Sequence, residues 1–276
     1  MPDPGAPLSF RLDEIGDIAF ERLAAILDIL DDIPGIRRLR QWARDALRVQ
    51  PGEHTLDIGS GTGAETRQLA TAVTAKGSAI GIDPNPAMAA LAWSRAAEEE
   101  STARFVVGDV YSLPFPDCSV DAVRCERVFE HLTDPAAAMA EITRVLRPSG
   151  RAMIIDTDWG TAIAHPGDPA VLAKVTEAML GATPNPHSGR LLAGQLAAAG
   201  LSVRDIGSQA LIQTPATSTE PMLSEPFPQL MMEAAGIDGV ITADELAVLV
   251  RDLEAGVERG DFHMSVTMFA YLARKD

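Results

Sequence analysis

The spacing of apolar side chains changes character several times along the chain. From residue 8 to about 48 they recur at helical intervals, as at Ile18, Leu23, Ile26, Leu27 and Leu30, with charged residues between. Asp32-Ile33-Pro34-Gly35 interrupts that period, which predicts two helices joined by a turn. Residues 1–7, rich in Pro and Gly, carry no period. After Pro51-Gly52 short apolar runs alternate with helical stretches. They predict strands at 54–58, 78–83, 103–107, 120–125 and 151–157. Helices are predicted after Gly63, through Ala96 and at 135–146. Strands apolar on both sides, alternating with helices, imply a parallel sheet covered on both faces.

The last third reads differently. A helix at 189–199 ends at Gly200 and precedes a strand at 201–206, and a strand at 262–272 closes the chain. Between them lie a Pro/Thr/Ser-rich loop and two helices, near 221–235 and 242–260. Thr242-Ala243-Asp244-Glu245 has the form of a capping box for the second. The expected organisation is a helical cap (1–50), an α/β core (51–206), an inserted helical lid (207–260) and a last core strand (261–276).

Composition narrows the partners. An apolar content of 46% suits a protein with a sizeable core. A formal charge of −16 repels phosphate backbones and anionic membrane surfaces, so neither nucleic acid nor membrane is an expected partner. Arg37, Arg38, Arg40 and Arg44 form the basic cluster; beside Trp42 and at helical spacing, they read as a solvated helix face. The N-terminus lacks the basic start and apolar stretch of a secretory signal, and no apolar run approaches the roughly 20 residues of a spanning helix. Cys118 and Cys125 are too few for a disulfide framework or a zinc cage. The expectation is a cytoplasmic monomer or homodimer that acts on a small molecule and holds no metal.

The strongest local signal is Leu56-Asp57-Ile58-Gly59-Ser60-Gly61-Thr62-Gly63-Ala64, which ends the first strand and opens a helix. Glycines permit a tight turn and let a ligand lie against peptide N–H groups. In open α/β sheets, ligands bind beyond the carboxyl ends of the strands. Gly59-x-Gly61-x-x-Ala64 also fits a dinucleotide fingerprint, with Asp83 available for a ribose hydroxyl, so the loop alone leaves two chemistries open. Asp57 ahead of the glycines and the third glycine Gly63 resemble motif I of class I methyltransferases, and Val107-Gly108-Asp109-Val110 follows the third strand where those enzymes hold adenine, so the resemblance favours S-adenosylmethionine. Further matches follow at Asp121-Ala122-Val123, Glu126-Arg127-Val128, His131-Leu132 and Leu146-Arg147-Pro148-Ser149-Gly150.

From about Leu47 to Thr157 the chain therefore resembles the type 11, ubiquinone/menaquinone-methyltransferase-like branch of the class I S-adenosylmethionine-dependent methyltransferases. The resemblance implies a Rossmann-like α/β fold: a seven-stranded, mostly parallel sheet with an antiparallel last strand, helices on both faces and a helical cap. It implies S-adenosylmethionine as cofactor and S-adenosylhomocysteine as product. Asp57 is then expected near the methionine ammonium, with Gly59, Ser60, Gly61, Thr62 and Gly63 around the methionine portion. Asp83, followed by Pro84, can accept from both ribose hydroxyls, or alternatively cap the next helix. Met88 packs on adenine or ribose, or in the core. Gly108, Asp109 and Val110 meet adenine, unless Asp109 is only a turn residue. Glu126, Arg127 and Val128 border the methionine portion through backbone atoms.

Methyl transfer asks chiefly for alignment and desolvation, with a base only where the acceptor must lose a proton. His131, after the fourth strand, is the first candidate base, or else orients its loop. Asp158 is a second catalytic candidate, and Trp159 beside it can hold an amine or aromatic ring. His187 and Arg190 are candidate substrate contacts, Arg190 as an anchor for an acidic or carbonyl group. Phe20 in the front helices and Met231 in the lid can line an apolar pocket, as can Phe10, Trp42, Phe227 and Met232. His54, His165 and His263 are less suitably placed. The leading reading is O-, N- or C-methylation of a small, largely apolar metabolite, of the kind met in secondary metabolism. The alternatives are an NAD(P)-dependent oxidoreductase and a cofactor-retaining cyclase or binding protein.

Overall fold

A computed structural model describes residues 17–216 and 240–276 of the chain. Phe10, Phe227, Met231, Met232 and the helix expected near 221–235 lie outside the described residues.

The expected front pair of helices is α1 (Asp17–Asp32) and α2 (Pro34–Leu47). Extended Ile33 alone separates them, and Pro34 fits the first turn because its missing N–H is one the helix leaves unpaired. Ile36, Leu39, Ala43 and Leu47 lie on one face of α2 and bury against Leu69, Val73, Met153 and Met268. The core runs β1 (His54–Ile58), α3 (Ala64–Val73), β2 (Ser78–Asp83), α4 (Pro86–Glu98), β3 (Arg104–Val107), β4 (Val120–Glu126), α5 (Pro135–Val145), β5 (Leu146–His165). It continues through α6 (Pro169–Ala182), α7 (Ser188–Ala198), β6 (Leu201–Gln213), α8 (Ala243–Arg259) and β7 (His263–Lys275).

The sheet order is β3-β2-β1-β4-β5-β7-β6. The pairs from β3 across to β5 are parallel, and β7 lies antiparallel between β5 and β6. This is the expected Rossmann-like, mostly parallel sheet with an antiparallel last strand. Alternate residues feed two cores: Leu56, Ile58 and Ile154 pack towards α5 and α7, while Met153 and Ile155 pack towards α2 and α3. Strand order reverses between β1 and β4, which opens a crevice at the carboxyl ends of those two strands.

The later strands exceed their expected lengths. β5 runs to His165 rather than residue 157, and β6 to Gln213 rather than 206, so residues 207–213 of the expected lid are sheet. The long closing strand causes this: β7 keeps pairing with β5 past a register shift between Asp158 and Ile163, and with β6 out to Gln213. Gly207 lets β6 pass under α2, because a Cβ there would stand 2.7 Å from the Trp42 ring. α6 was not expected from the sequence; Pro169 occupies its first turn and Asp168 caps it, accepting from the Ala170 N–H at 2.7 Å. α8 carries the expected capping box, with Thr242 and Glu245 bonded reciprocally. Val171, Val175 and Met179 of α6, Leu249 and Leu253 of α8, Ile241 and Phe262 form a separate apolar cluster that Trp159 and Met264 border. Among the described residues no helix is long and apolar enough to cross a membrane.

Candidate active site

The glycine loop leaves β1 with positive φ at all three glycines, 68° at Gly59, 51° at Gly61 and 80° at Gly63. Their neighbours separate their roles. A Cβ on Gly59 would lie 2.3 Å from Val128 Cγ2, and one on Gly63 would lie within 2.9 Å of Phe105 and Ala92. At Gly61 a Cβ would meet only Leu27 of α1, at 3.3 Å. The outer glycines are thus demanded by the protein's own packing, and the middle one faces a cleft. That cleft has about 380 Å³ of empty space, part of it open to solvent, and is lined by Gly59, Ser60, Gly61, Thr62, Arg40, Glu126 and Arg127, with Leu27 above. Ser60 Oγ and Arg127 Nε are buried there without a hydrogen-bond partner.

Asp83 ends β2 beside this loop. Its Oδ2 accepts from the Gly61 N–H and its Oδ1 from the Asn85 N–H, both at 2.9 Å. Burial raises its pKa, and the two N–H donors work against that rise. Asn85, not Asp83, caps α4, accepting from Ala87 and Met88. Asp83 is therefore free of the capping role that its position allowed. Pro84 is exposed, while Met88 is buried under Leu23 and Ala24 of α1, with Phe20 and Leu27 beside them. Phe20 thus sits by α4. Past β3, Gly108 donates to the Asp83 carbonyl, Asp109 is exposed and accepts from the Tyr111 N–H at 2.9 Å, and Val110 is buried.

Beneath the cleft lies a charge network that sequence reasoning missed. Asp57 is fully buried, accepting from Thr66 at 2.7 Å and from Arg124 at 3.0 Å. Arg124 also pairs with Glu126 and with Glu65 of α3. Arg40 of α2 makes a two-nitrogen contact with Glu126 (3.0 Å to each oxygen) and reaches Asp31 of α1 at 2.6 Å. Arg44 pairs with Glu65 at 2.6 Å. The basic cluster on α2 is therefore a solvated face only in part: Arg37 and Arg38 are exposed, whereas Arg40 and Arg44 neutralise buried acids. Burial works to raise the Glu126 pKa, but Arg40 and Arg124 outweigh it and hold the value at about 2. Asp57 goes the other way: burial raises it more than Arg124 and Thr66 lower it. The readable signal was Arg124 itself, a charge inside the otherwise apolar run of β4.

At the ends of β4 and β5 two further groups form. Arg127 takes a left-handed backbone (φ 54°) and donates to the Ile155 carbonyl, and the chain then turns through Phe129–His131. His131 Nε2 stands 3.4 Å from Glu130 Oε1, with a third of its side chain exposed. Burial lowers the His131 pKa, Glu130 opposes this, and Arg127 adds to it. Glu130 is buried and accepts from Trp159 Nε1 at 2.6 Å. Asp156 accepts from the Glu130 N–H and from Ser188; burial, and then the Glu130 charge, push its pKa well up. The second group is Asp158, buried and gripped by Arg190 and His187 (3.2 Å) and by the Gly160 N–H (3.1 Å). Burial acts to raise the Asp158 pKa, yet Arg190 and His187 hold it below the ordinary carboxylate range. So Trp159 joins His131 through Glu130, whereas His187 and Arg190 are gathered on Asp158.

Residues 56–154 match a methyltransferase domain family. Over 133 residues the chain is 41% identical to an uncharacterised 37.1 kDa protein of transposon TN4556 from Streptomyces fradiae, across 48% of this chain and 38% of that one. It is 31% identical over 176 residues to the ubiquinone/menaquinone biosynthesis C-methyltransferase UbiE of Ectopseudomonas mendocina, across 61% of this chain and 65% of the relative. The chain thus spans less than two thirds of either curated relative. The solved YcgJ protein of Bacillus subtilis shares the fold, with a TM-score of 0.58 at 22% identity over 86% of this chain and 97% of that one. These matches do not favour the oxidoreductase, cyclase or binding-protein alternatives. Residues 56–154 are thus similar to the type 11 methyltransferase domain, and the sheet around them has the fold of solved methyltransferase-like structures.

Proposed function

We propose that the chain is an S-adenosylmethionine-dependent methyltransferase acting on a small, largely apolar acceptor, with a quinol-like ring as the first candidate. The observation that carries the reading is the hydrogen bond from the Gly61 N–H to Asp83 Oδ2, at 2.9 Å. It joins the glycine loop to the acid at the end of β2, and the capping of α4 by Asn85 leaves Asp83 for a ligand. The residues present fit the group. Gly61 opens onto the cleft, buried Ser60 Oγ has no hydrogen bond, Arg127 Nε meets only Glu126 at 3.7 Å, and the carboxylates and guanidiniums of the cleft suit a zwitterionic amino acid.

Asp83 is assigned to the ribose hydroxyls, with Pro84 and Met88 beside the nucleoside and Gly108, Asp109 and Val110 at adenine. Gly59, Ser60, Gly61, Thr62, Gly63, Glu126, Arg127 and Val128 border the methionine portion. Asp57 acts there through Arg124, which it neutralises at 3.0 Å. When bound, S-adenosylmethionine supplies a methyl group made electrophilic by its sulfonium. The chain's part is to align the acceptor, exclude water and, for a hydroxyl or acidic carbon, let His131 take the proton. Asp158 is assigned to holding Arg190 and His187 at the rim instead of moving a proton, since its oxygens are already bonded. Trp159 and Phe20 are assigned to the apolar walls. The front helices α1 and α2 and the lid helix α8 are assigned to covering the acceptor, and α6 joins α8 through their shared cluster. A monomer or homodimer of the cytoplasm, serving secondary or quinone metabolism, fits this assignment.

The test is calorimetry with S-adenosylhomocysteine and NADH, then incubation with methyl-labelled S-adenosylmethionine and a panel of demethylated quinols, phenols and amines. The expected result is S-adenosylhomocysteine binding and label in an extracted apolar product. NADH binding without S-adenosylhomocysteine binding would overturn the reading. Cofactor binding with no transfer to any acceptor of the panel would replace it with a non-transferase role.

A further inference from the structure

The chain that follows β3 and the chain that follows β4 meet at one atom. Tyr111 Oη accepts from the Thr133 N–H at 2.9 Å and from the Asp134 N–H at 3.1 Å, and Thr133 Oγ1 lies 3.3 Å from it. A phenol oxygen has two lone pairs and one proton. With two N–H groups donating to it, its own proton goes to Thr133 Oγ1, and the hydroxyl is saturated. At its other end Tyr111 is tied to Asp109, whose Oδ1 accepts from the Tyr111 N–H at 2.9 Å. Among the described residues Asp109 Oδ2 takes no hydrogen bond. The turn in between, Phe129–His131, is fastened from elsewhere. Asn185 Nδ2 donates to the Phe129 carbonyl at 3.0 Å and to that of Leu132, and the Asn185 N–H donates to the Glu130 carbonyl at 2.9 Å. Asp134 caps α5, accepting from the Ala137 N–H at 3.0 Å. Of these supports for the loop that carries His131, Tyr111 is the one that comes from the adenine side of the cleft.

We propose that Tyr111 is a positioning residue: through its hydroxyl, a cofactor held at Asp109 steadies the loop that carries His131. The proposal rests on the assignment of Asp109 to adenine and of His131 to the acceptor side. A ligand bonded to Asp109 Oδ2 fixes the plane of the carboxylate, and with it the Tyr111 N–H on Oδ1. The Tyr111 ring packs against the core beneath α5, so it transmits this restraint without swinging aside. The hydroxyl then holds Thr133 and Asp134, and Thr133 stands two residues from His131. Binding at one end of the cleft thereby reduces the freedom of the chain at the other, with no change of fold.

Tyr111→Phe removes one oxygen and keeps the ring. Amide hydrogen exchange followed by ¹⁵N–¹H NMR, with and without S-adenosylhomocysteine, reads Thr133 and Asp134 residue by residue, and calorimetry on the same samples reads binding. In the wild type S-adenosylhomocysteine is expected to slow exchange of both amides at least about fivefold. In Tyr111→Phe that slowing should vanish, while the Glu130 amide, which bonds Asp156, exchanges alike in both proteins. The His131 ring signal, assigned by its loss in His131→Gln, should respond to S-adenosylhomocysteine in the wild type and less than half as much in Tyr111→Phe. By linkage, loss of the tie can weaken binding by no more than the factor it transmits, so the affinity of Tyr111→Phe should stay within about fivefold of wild type. Binding by the wild type with unchanged exchange at Thr133 and Asp134 overturns the proposal and leaves the cofactor reading standing. So does a slowing, or a His131 response, that persists undiminished in Tyr111→Phe. A far larger loss of affinity would place the hydroxyl in the cofactor site itself and overturn the positioning role. No binding by the wild type overturns the cofactor reading and this proposal with it.

Discussion

Asp57 and Arg124 are register partners on the neighbouring central strands β1 and β4, and their side chains meet at 3.0 Å out of contact with solvent. Two charges at the middle of a parallel sheet are tolerated only because each neutralises the other and a wider ring completes their hydrogen bonds. Arg40 of α2 and Glu65 of α3 belong to that ring, so the floor of the cleft and the front helices share one electrostatic unit.

Arg124→Met should therefore be among the most damaging single changes. It leaves buried Asp57 without its cationic partner, while Glu126 keeps Arg40, and loss of one partner from a buried pair costs about 3–5 kcal/mol. Urea denaturation at neutral pH measures this. A loss below about 1 kcal/mol, the range of surface pairs, would contradict the network's role.

Glu126 gives the network a pH signature. Its pKa is held at about 2 against an ordinary 4.5. A folded-state pKa below the unfolded one contributes stability that is present above the unfolded value and lost as pH falls through the folded value. Glu126→Gln should thus be less stable than wild type by on the order of 3 kcal/mol at neutral pH. The gap should close between about pH 4.5 and pH 2. A gap independent of pH would show that packing, not charge, is at stake.

Gly59→Ala should destabilise the apoprotein by about 1–3 kcal/mol, because the new methyl group overlaps Val128 and the backbone is left-handed. In a Val128→Ala background the overlap disappears, and only the backbone share of the loss should remain. Gly61→Ala, which meets only Leu27, should lose less stability and more cofactor affinity. Thermal melts with and without S-adenosylhomocysteine separate the two effects.

Asp83→Ala should weaken S-adenosylhomocysteine binding by about 1–3 kcal/mol, the worth of a charge-assisted hydrogen bond. The N–H groups of Gly61 and Asn85 lose their acceptor as well, so Asp83→Asn should fall between the two. Calorimetry that finds equal affinity in all three proteins would remove Asp83 from the cofactor site.

His131 works as a base only when neutral, and burial, foremost, holds its pKa below the ordinary 6.5. The acid limb of the kcat profile should accordingly lie below pH 6.5 and vanish in His131→Ala. An acid limb that persists unchanged in the variant would assign it to another group.

The elements that carry cofactor motifs were legible because each is short, periodic and punctuated by glycine or proline, as β1, β2 and α4 are. The lengths of β5 and β6 were not, since a strand continues as long as its neighbour offers a ladder, and β7 was that neighbour. Helical spacing showed that Arg37, Arg40 and Arg44 share a face, but not that Glu126 and Glu65 would lie opposite it. Glu130 escaped notice for the same reason: its two ring partners become neighbours only when β5 lies beside β4. α6 was hidden because its apolar residues answer to α8, more than sixty positions away in sequence.

The cluster formed by α6, α8, Ile241 and Phe262 shares no buried residue with either core of the sheet. Its contacts with the sheet run through Trp159 and Ala162 of β5 and Met264 of β7. Substitutions among Val171, Val175, Met179, Leu249 and Leu253 can therefore vary size and shape without altering a buried residue of either sheet core.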